Sequence, residues 1–303
     1  MKPLTICISM VSLLILSCEH KQDLGPEFLR SCELELTDGF CLVSDDGVVL
    51  NHHQIEYYDY SAHLVYLKDQ VSFSEDIVGS GVNAVYAGGD SIYRLANMNG
   101  YDSYMPAGPL IWNQSFYNDY VMQIDLLRML DPDHPDDPRV DPRIEQALLK
   151  YDQFHEGLAC EIVDVQIIES GHVFLKLELK NEDSFDYLYL DPDKMGLGLF
   201  HYFTNGLFLR NSSYESFSHK IEVLQPDPWD AWDPAWLSVI ESGETVSLTI
   251  EYLEFDEFPP GDYTARFRFP GLSGQVQKDD LLQAGGRIWL GDLDLSVNLS
   301  LDF

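Results

Sequence analysis

Apolar and polar positions alternate along much of the chain from Val48 onward, with the short period of β-strands. Residues 54–58 and 63–67 are β-prone runs around Asp59-Tyr60-Ser61-Ala62, which predicts a hairpin. Residues 82–86 and 91–95 flank Gly88-Gly89-Asp90 and predict a second one. The apolar run 120–130 fits a strand or a helix by periodicity alone. Four prolines between Pro132 and Pro142 forbid regular structure in the acidic stretch that follows. Asp141 then has the form of an N-cap, with Pro142 at the first helical position. Ile144, Ala147, Leu148 and Tyr151 make one apolar stripe, and Gly157 can end the helix, which predicts about four turns.

From Cys160 the strand period returns. Val173, Leu175, Leu177 and Leu179 alternate with Phe174, Lys176, Glu178 and Lys180. Further strands are predicted at 187–190, 245–250, 263–269, 287–290 and 293–301. Pro259-Pro260-Gly261-Asp262 turns the chain into Tyr263. That spacing resembles immunoglobulin-like domains, in which a tyrosine near the start of the penultimate strand anchors the sheet corner. The resemblance spans about residues 160–303 and lacks the paired cysteines and tryptophan of antibody domains. The resulting expectation is a mainly β protein. It has a small mixed α/β N-terminal domain with mostly antiparallel strands (48–130), an acidic Pro-rich spacer and linking helix (131–157), and a C-terminal immunoglobulin-like β-sandwich (158–303).

The first 18 residues follow a different pattern. Lys2 precedes an apolar core of about 13 residues, Leu4 to Leu16, whereas a membrane-spanning helix needs about 20. This is the layout of an export signal, residues 1–17. Ile15-Leu16-Ser17-Cys18 resembles the lipobox of bacterial lipoproteins, which implies cleavage after Ser17 and a lipid on Cys18. The lipid implies a membrane partner in the cell envelope, on the periplasmic face or at the cell surface. Residues 18–47 read as a tether.

Charge narrows the functional classes. The chain has 18 Lys+Arg against 51 Asp+Glu, a net charge of −33, which repels nucleic acid and excludes it as a partner class. Hydrophobic residues make up 45%, so the chain has the material for a core and is not a disordered acidic tail. Cys32 and Cys41 flank the turn Thr37-Asp38-Gly39 and are the simplest disulfide pair in an oxidising compartment, with Cys160 left over.

Candidate chemistry is sparse. No hydrolase, zinc-protease, P-loop or dinucleotide fingerprint occurs, and neither a metal site nor a cofactor is predicted. Asp131, Asp133, Asp136, Asp137 and Asp141 have no calcium-loop spacing. His52, His53 and His63 lie too far apart along a hairpin to share an ion. The strongest binding signal is Trp229, Trp232 and Trp236 in a loop broken by Pro228 and Pro234 and interleaved with Asp230 and Asp233. Aromatic faces beside carboxylates suit stacking on a sugar ring or an apolar protein surface. The expectation is a non-enzymatic binding module for a protein or glycan ligand. The alternative is a carboxylate-based hydrolase with its site between the domains.

The lipobox generates one direct test. Cys18→Ala should abolish acylation and move the protein from the membrane pellet to the soluble fraction; equal pelleting of parent and variant would refute lipid anchoring.

Overall fold

In the computed structural model, which describes residues 38–103, 106–114, 116–126, 137–169 and 171–301, the chain is mainly β. Residues 1–17, expected to be an export signal, together with Cys18, Cys32 and Asp131, Asp133 and Asp136 of the spacer, lie outside the described residues. The first strands are β1 (Phe40–Ser44), β2 (Gly47–Asn51), β3 (Ile55–Asp59), β4 (Leu64–Leu67), β5 (Val82–Ala87) and β6 (Asp90–Arg94). Short strands β7 (Ala96–Met98), β8 (Leu110–Trp112) and β9 (Val121–Gln123) follow, then helix α1 (Pro142–Leu149) and strand β10 (Phe154–His155). One sheet runs β2-β1-β5-β6 and a second β10-β3-β4-β9. Together with α1 they enclose a core that includes Phe40, Leu42, Tyr58, Val65, Met122, Ile144 and Leu148.

Three features depart from the pattern-based expectation. The tether does not extend to residue 47, because β1 is an inner strand with all five residues buried. Its two faces serve different clusters, Phe40 and Leu42 on one side, Cys41 and Val43 on the other, so the alternation that marks a half-buried strand is missing. The helix is about two turns, not four. Asp141 caps it by accepting from the Arg143 N–H at 2.9 Å, but the chain leaves the helix by Asp152, whose φ is +56°. The helix also does not simply bridge two halves: Ile144, Ala147 and Leu148 fill the first core, and β10 extends the β3 sheet.

The second half contains β11 (Leu158–Glu169), β12 (His172–Asn181), β13 (Tyr187–Leu190), the short helices α2 (Pro192–Met195) and α3 (Leu197–Phe203), and β14 (Phe208–Asn211). It continues with β15 (Ser216–Ser218), β16 (Leu237–Ile240), β17 (Thr245–Tyr252), β18 (Gly261–Phe269), β19 (Leu282–Gln283), β20 (Gly286–Ile288) and β21 (Leu293–Leu301). The sheets are β11-β12-β17, β15-β14-β18-β21 and β16-β13-β20-β19. Val173, Leu175, Leu177 and Leu179 of β12 share a core with Tyr263, Ala265, Phe267 and Phe269 of β18. The alternation read in the sequence is thus the alternation of buried and outward positions.

The β3–β4 hairpin joins the halves. Tyr58, Val65 and Leu67 face the first core, whereas Tyr57, Leu64 and Tyr66 belong to the second. Removing a large apolar side chain from water is worth about 1.5–3 kcal/mol. Several such side chains approach the whole net stability of a domain, about 5–15 kcal/mol. Separating the halves would therefore cost an amount comparable with unfolding.

A buried polar link crosses the same junction. Asp59, at the end of β3, accepts from Trp289 Nε1 at 3.1 Å, from Ser61 Oγ at 2.6 Å and from the Ser61 N–H at 3.0 Å. Ser61 Oγ in turn accepts from the Leu158 N–H at 3.3 Å. Gly157, with φ +76°, passes so close that a Cβ there would overlap Asp59 Oδ1 and Ser61 Oγ. Burial pushes the Asp59 carboxyl up to about 6, against its own hydrogen bonds.

Because the folded pKa is raised, the stability associated with protonated Asp59 is present below about pH 4 and is lost as pH rises through about 6. Asp59→Asn keeps an acceptor for Trp289 and has no charge to bury. Between pH 4 and pH 7 the variant should gain on the parent by up to about 3 kcal/mol in urea unfolding. A parent–variant difference that does not move with pH would refute this assignment.

Candidate functional site

The tryptophan loop crosses the surface between β15 and β16 and is fastened at several points. Asp233 accepts from the Ala235 N–H at 2.8 Å and caps a single 3-10 turn, Pro234–Trp236. The Trp236 carbonyl accepts from the Asp191 N–H at 3.0 Å, tying the loop to the start of α2. The Trp236 ring lies 6.1 Å from that of Phe203 on α3. Tyr202 donates its hydroxyl hydrogen to the Trp229 carbonyl at 3.1 Å, and the Leu224 N–H donates to the Gly198 carbonyl at 2.9 Å.

These anchors divide the three tryptophans. Trp232 and Trp236 are half-buried and pack on the main core. Trp229 is 62% exposed, in a loop that also exposes Val223 and Leu224. Asp227, Asp230 and Asp233 are also exposed. The loop therefore offers one indole face with carboxylates beside it, on a backbone held by its neighbours. Such a surface can stack on an apolar or sugar face and accept hydrogen bonds around it.

A separate groove of about 600 Å³ lies at the junction of the halves, with Asp125, Glu156, Glu182, Arg268, Asp292 and Asp294 in its lining. Burial raises the Asp292 carboxyl to about 6, and Arg268 opposes that rise. Arg268 pairs closely with Asp292 and also lies 3.8 Å from Asp294. Asp125 accepts from Trp112 Nε1 at 2.9 Å and from the Leu126 N–H at 2.7 Å. A glycosidase-type acid and base need two carboxyls pushed to different pKa values. Arg268 instead ties Asp292 and Asp294 into an ion-pair bracket across the groove.

The remaining candidates fall apart from one another. His52 stacks on Tyr151 at 3.8 Å between ring centroids, while His63 Nδ1 lies 3.1 Å from the Tyr58 hydroxyl. Among the described residues no group of three or more His, Cys, Asp or Glu could hold a metal ion. Cys41 is fully buried in β1. Cys160, near the start of β11, is half-buried, and burial pushes its thiol up to about 12. Asp137 is bound bidentately by Arg139, whose Nη1 donates to the Ile124 carbonyl at 2.9 Å.

Sequence reading missed the polar cluster behind the groove. His155 Nδ1 lies 2.8 Å from Asp183 Oδ1, and the Tyr187 hydroxyl donates to Asp183 Oδ2 at 2.8 Å. Burial raises the Asp183 carboxyl, but the hydrogen bonds from His155 and Tyr187 outweigh it and hold the group below its ordinary value. Phe185 stacks on His155 at 4.0 Å, closing the imidazole face. No local spacing links His155 to Asp183, because they meet only through the sheet junction.

No family model and no curated protein matches the chain. Among solved structures, a β-glucosidase from Kluyveromyces marxianus aligns with 48% of this chain and 14% of its own, at 11% identity and a TM-score of 0.20. A β-glucosidase from Listeria innocua in complex with glucose aligns with 46% of this chain and 16% of its own, at 9% identity and a TM-score of 0.18. The match thus spans a small part of either enzyme's length, and a likeness at that TM-score carries no argument about fold or function.

The division of the tryptophans is testable by thermal melts. Trp229→Ala should change stability by no more than about 0.5 kcal/mol. Trp236→Ala should lose at least about 2 kcal/mol, approaching the cost of a buried aromatic. Equal losses at the two positions would contradict the observed burial.

Proposed function

We propose that the chain is an envelope-anchored lipoprotein that presents an immunoglobulin-like β-sandwich as a non-enzymatic binding module for a protein or glycan. The observation that carries the reading is Trp229, an exposed indole in a loop whose other two tryptophans are packed down. A disordered loop would bind only after losing its conformational freedom. This loop is already tied to α2, α3 and the 3-10 turn, which lowers that entropic cost.

Strand order supports the immunoglobulin-like part. In chain order β11-β12-β17 pair as A-B-E strands do, and β14-β18-β21 pair as C-F-G strands do. Tyr263 donates to the Pro259 carbonyl at 2.6 Å, the bond that a tyrosine at this corner makes. Strands β13, β16, β19 and β20 arise from the connections between those strands and form a sheet of their own. Membrane attachment rests on the lipobox, and lipid at Cys18 places the module at a bilayer surface. The hydrolase alternative would use the junction groove, and the Arg268 bracket on Asp292 and Asp294 weighs against it.

The test is a screen of parent and Trp229→Ala protein on a glycan array and against envelope proteins. A ligand of the loop should lose about tenfold or more in affinity on losing the indole, by analogy with stacking on aromatic side chains. The melting temperature should stay unchanged. A ligand that binds both proteins equally would remove the loop from the binding surface.

A further inference from the structure

In a chain with a net charge of −33, most cations on the described surface have a carboxylate beside them. Two do not. Arg210 on β14 and Arg266 on β18 have no carboxylate within 4.0 Å among the described residues. They are neighbours. Arg210 pairs with Thr264 and Phe208 with Arg266, so the two arginines take diagonal positions on one face of the sheet. The intervening Leu209 and Ala265 point the other way, into the core.

Both arginines line a cleft of about 520 Å³. The Nε of each is buried without a hydrogen-bond partner. A buried donor without an acceptor is unfavourable, and so are two like charges set diagonally on one sheet face. One oxyanion placed between the guanidinium groups relieves both, because each planar fork matches two oxygens. The rest of the lining mixes polar and apolar groups. Thr264 donates to Asn298 Oδ1 at 2.9 Å on the neighbouring strand, and Ser300 donates to Asp262 Oδ1 at 2.7 Å in the same lining. Tyr214, 76% exposed, lays its ring 4.7 Å from the Arg210 guanidinium carbon. Its φ of +65° is an unusual conformation for tyrosine and sets the ring at the mouth of the cleft.

We propose that this cleft is a binding site for an anionic saccharide of the uronic-acid type. Arg210 and Arg266 take the carboxylate, Tyr214 offers a ring face to the sugar, and Thr264 and Asn298 meet its hydroxyls. An acidic peptide would use the same two arginines, but the Tyr214 ring set beside hydroxyl and amide groups matches a sugar, which presents a face and hydroxyls together. The site is formed by the outward face of the β14–β18–β21 sheet and does not depend on the tryptophan loop.

The test uses the full chain at low salt, titrated by calorimetry and by amide chemical shifts with glucuronic acid, glucose, sodium sulfate and a glutamate-rich peptide. Glucuronic acid should bind saturably, perturb Thr264 and Asn298, and weaken as salt is added. Glucose and sulfate should each bind about tenfold or more weakly than glucuronic acid. Arg210→Gln and Arg266→Gln should each weaken glucuronic acid about tenfold or more, and Arg266→Lys should recover only part, since a point charge lacks the fork. Tyr214→Ala, at an exposed position, should weaken glucuronic acid and leave sulfate unchanged. That variant, with the ligand comparison on the parent, decides the question even where an arginine variant misfolds. Trp229→Ala should leave glucuronic acid binding intact, which separates this site from the tryptophan loop. The proposal is overturned by absent saturation, by sulfate or the peptide binding as tightly as glucuronic acid, or by binding that survives Arg210→Gln with Arg266→Gln.

Discussion

The β3–β4 hairpin is buried on both faces, and the rest of the fold depends on that. A sheet with one dry face can stand beside another unit as a separate domain. A sheet with two dry faces cannot be exposed on either side without an apolar penalty as large as a domain's net stability. Tyr58 and Val65 commit one face to the first core, and Tyr57, Leu64 and Tyr66 commit the other to the second. The chain therefore folds around this hairpin as a shared wall.

Burial of that wall explains the polar chemistry found beside it. Asp59 ends β3 at the junction and cannot reach water, so Trp289 and Ser61 supply its hydrogen bonds and Gly157 makes room for them. Asp183 is satisfied in the same way by His155 and Tyr187. These groups have the composition of an active site, with carboxylates, a histidine and hydroxyls close together. Their geometry instead gives both carboxylates hydrogen-bond partners inside a packed junction, as buried polar groups require.

The surface follows another rule. Acidic residues outnumber basic ones so heavily that a cation without a carboxylate neighbour is informative. Arg268 is held by Asp292 and Asp294 and works as a bracket across the groove. Arg210 and Arg266 are left to face the cleft together. The exposed indole of Trp229 is the apolar counterpart, left outward by a loop whose other aromatics are packed. Both features lie on the half of the chain that carries the long strands, where loops and outward faces vary without disturbing the core.

Much of the β architecture was legible in local pattern. The strands at 172–181, 245–252 and 261–269 alternate because one face is wet, and the Asp141-Pro142 helix start follows from capping chemistry. The presence of three tryptophans in an irregular loop is likewise local. β1 was not legible, because burial on both faces erases alternation, and the shortened helix was not, because Asp152 adopts a positive φ without a glycine to announce it. Which tryptophan stays exposed was decided by contacts with α2 and α3. The pairing of Arg210 with Arg266, 56 positions apart in sequence, was decided by strand register. Local sequence determined which segments become strands and where the chain turns, since those depend on near neighbours and on water. Tertiary structure decided which faces are sealed and which charges are left without partners, since those depend on segments distant in the chain meeting across a shared sheet.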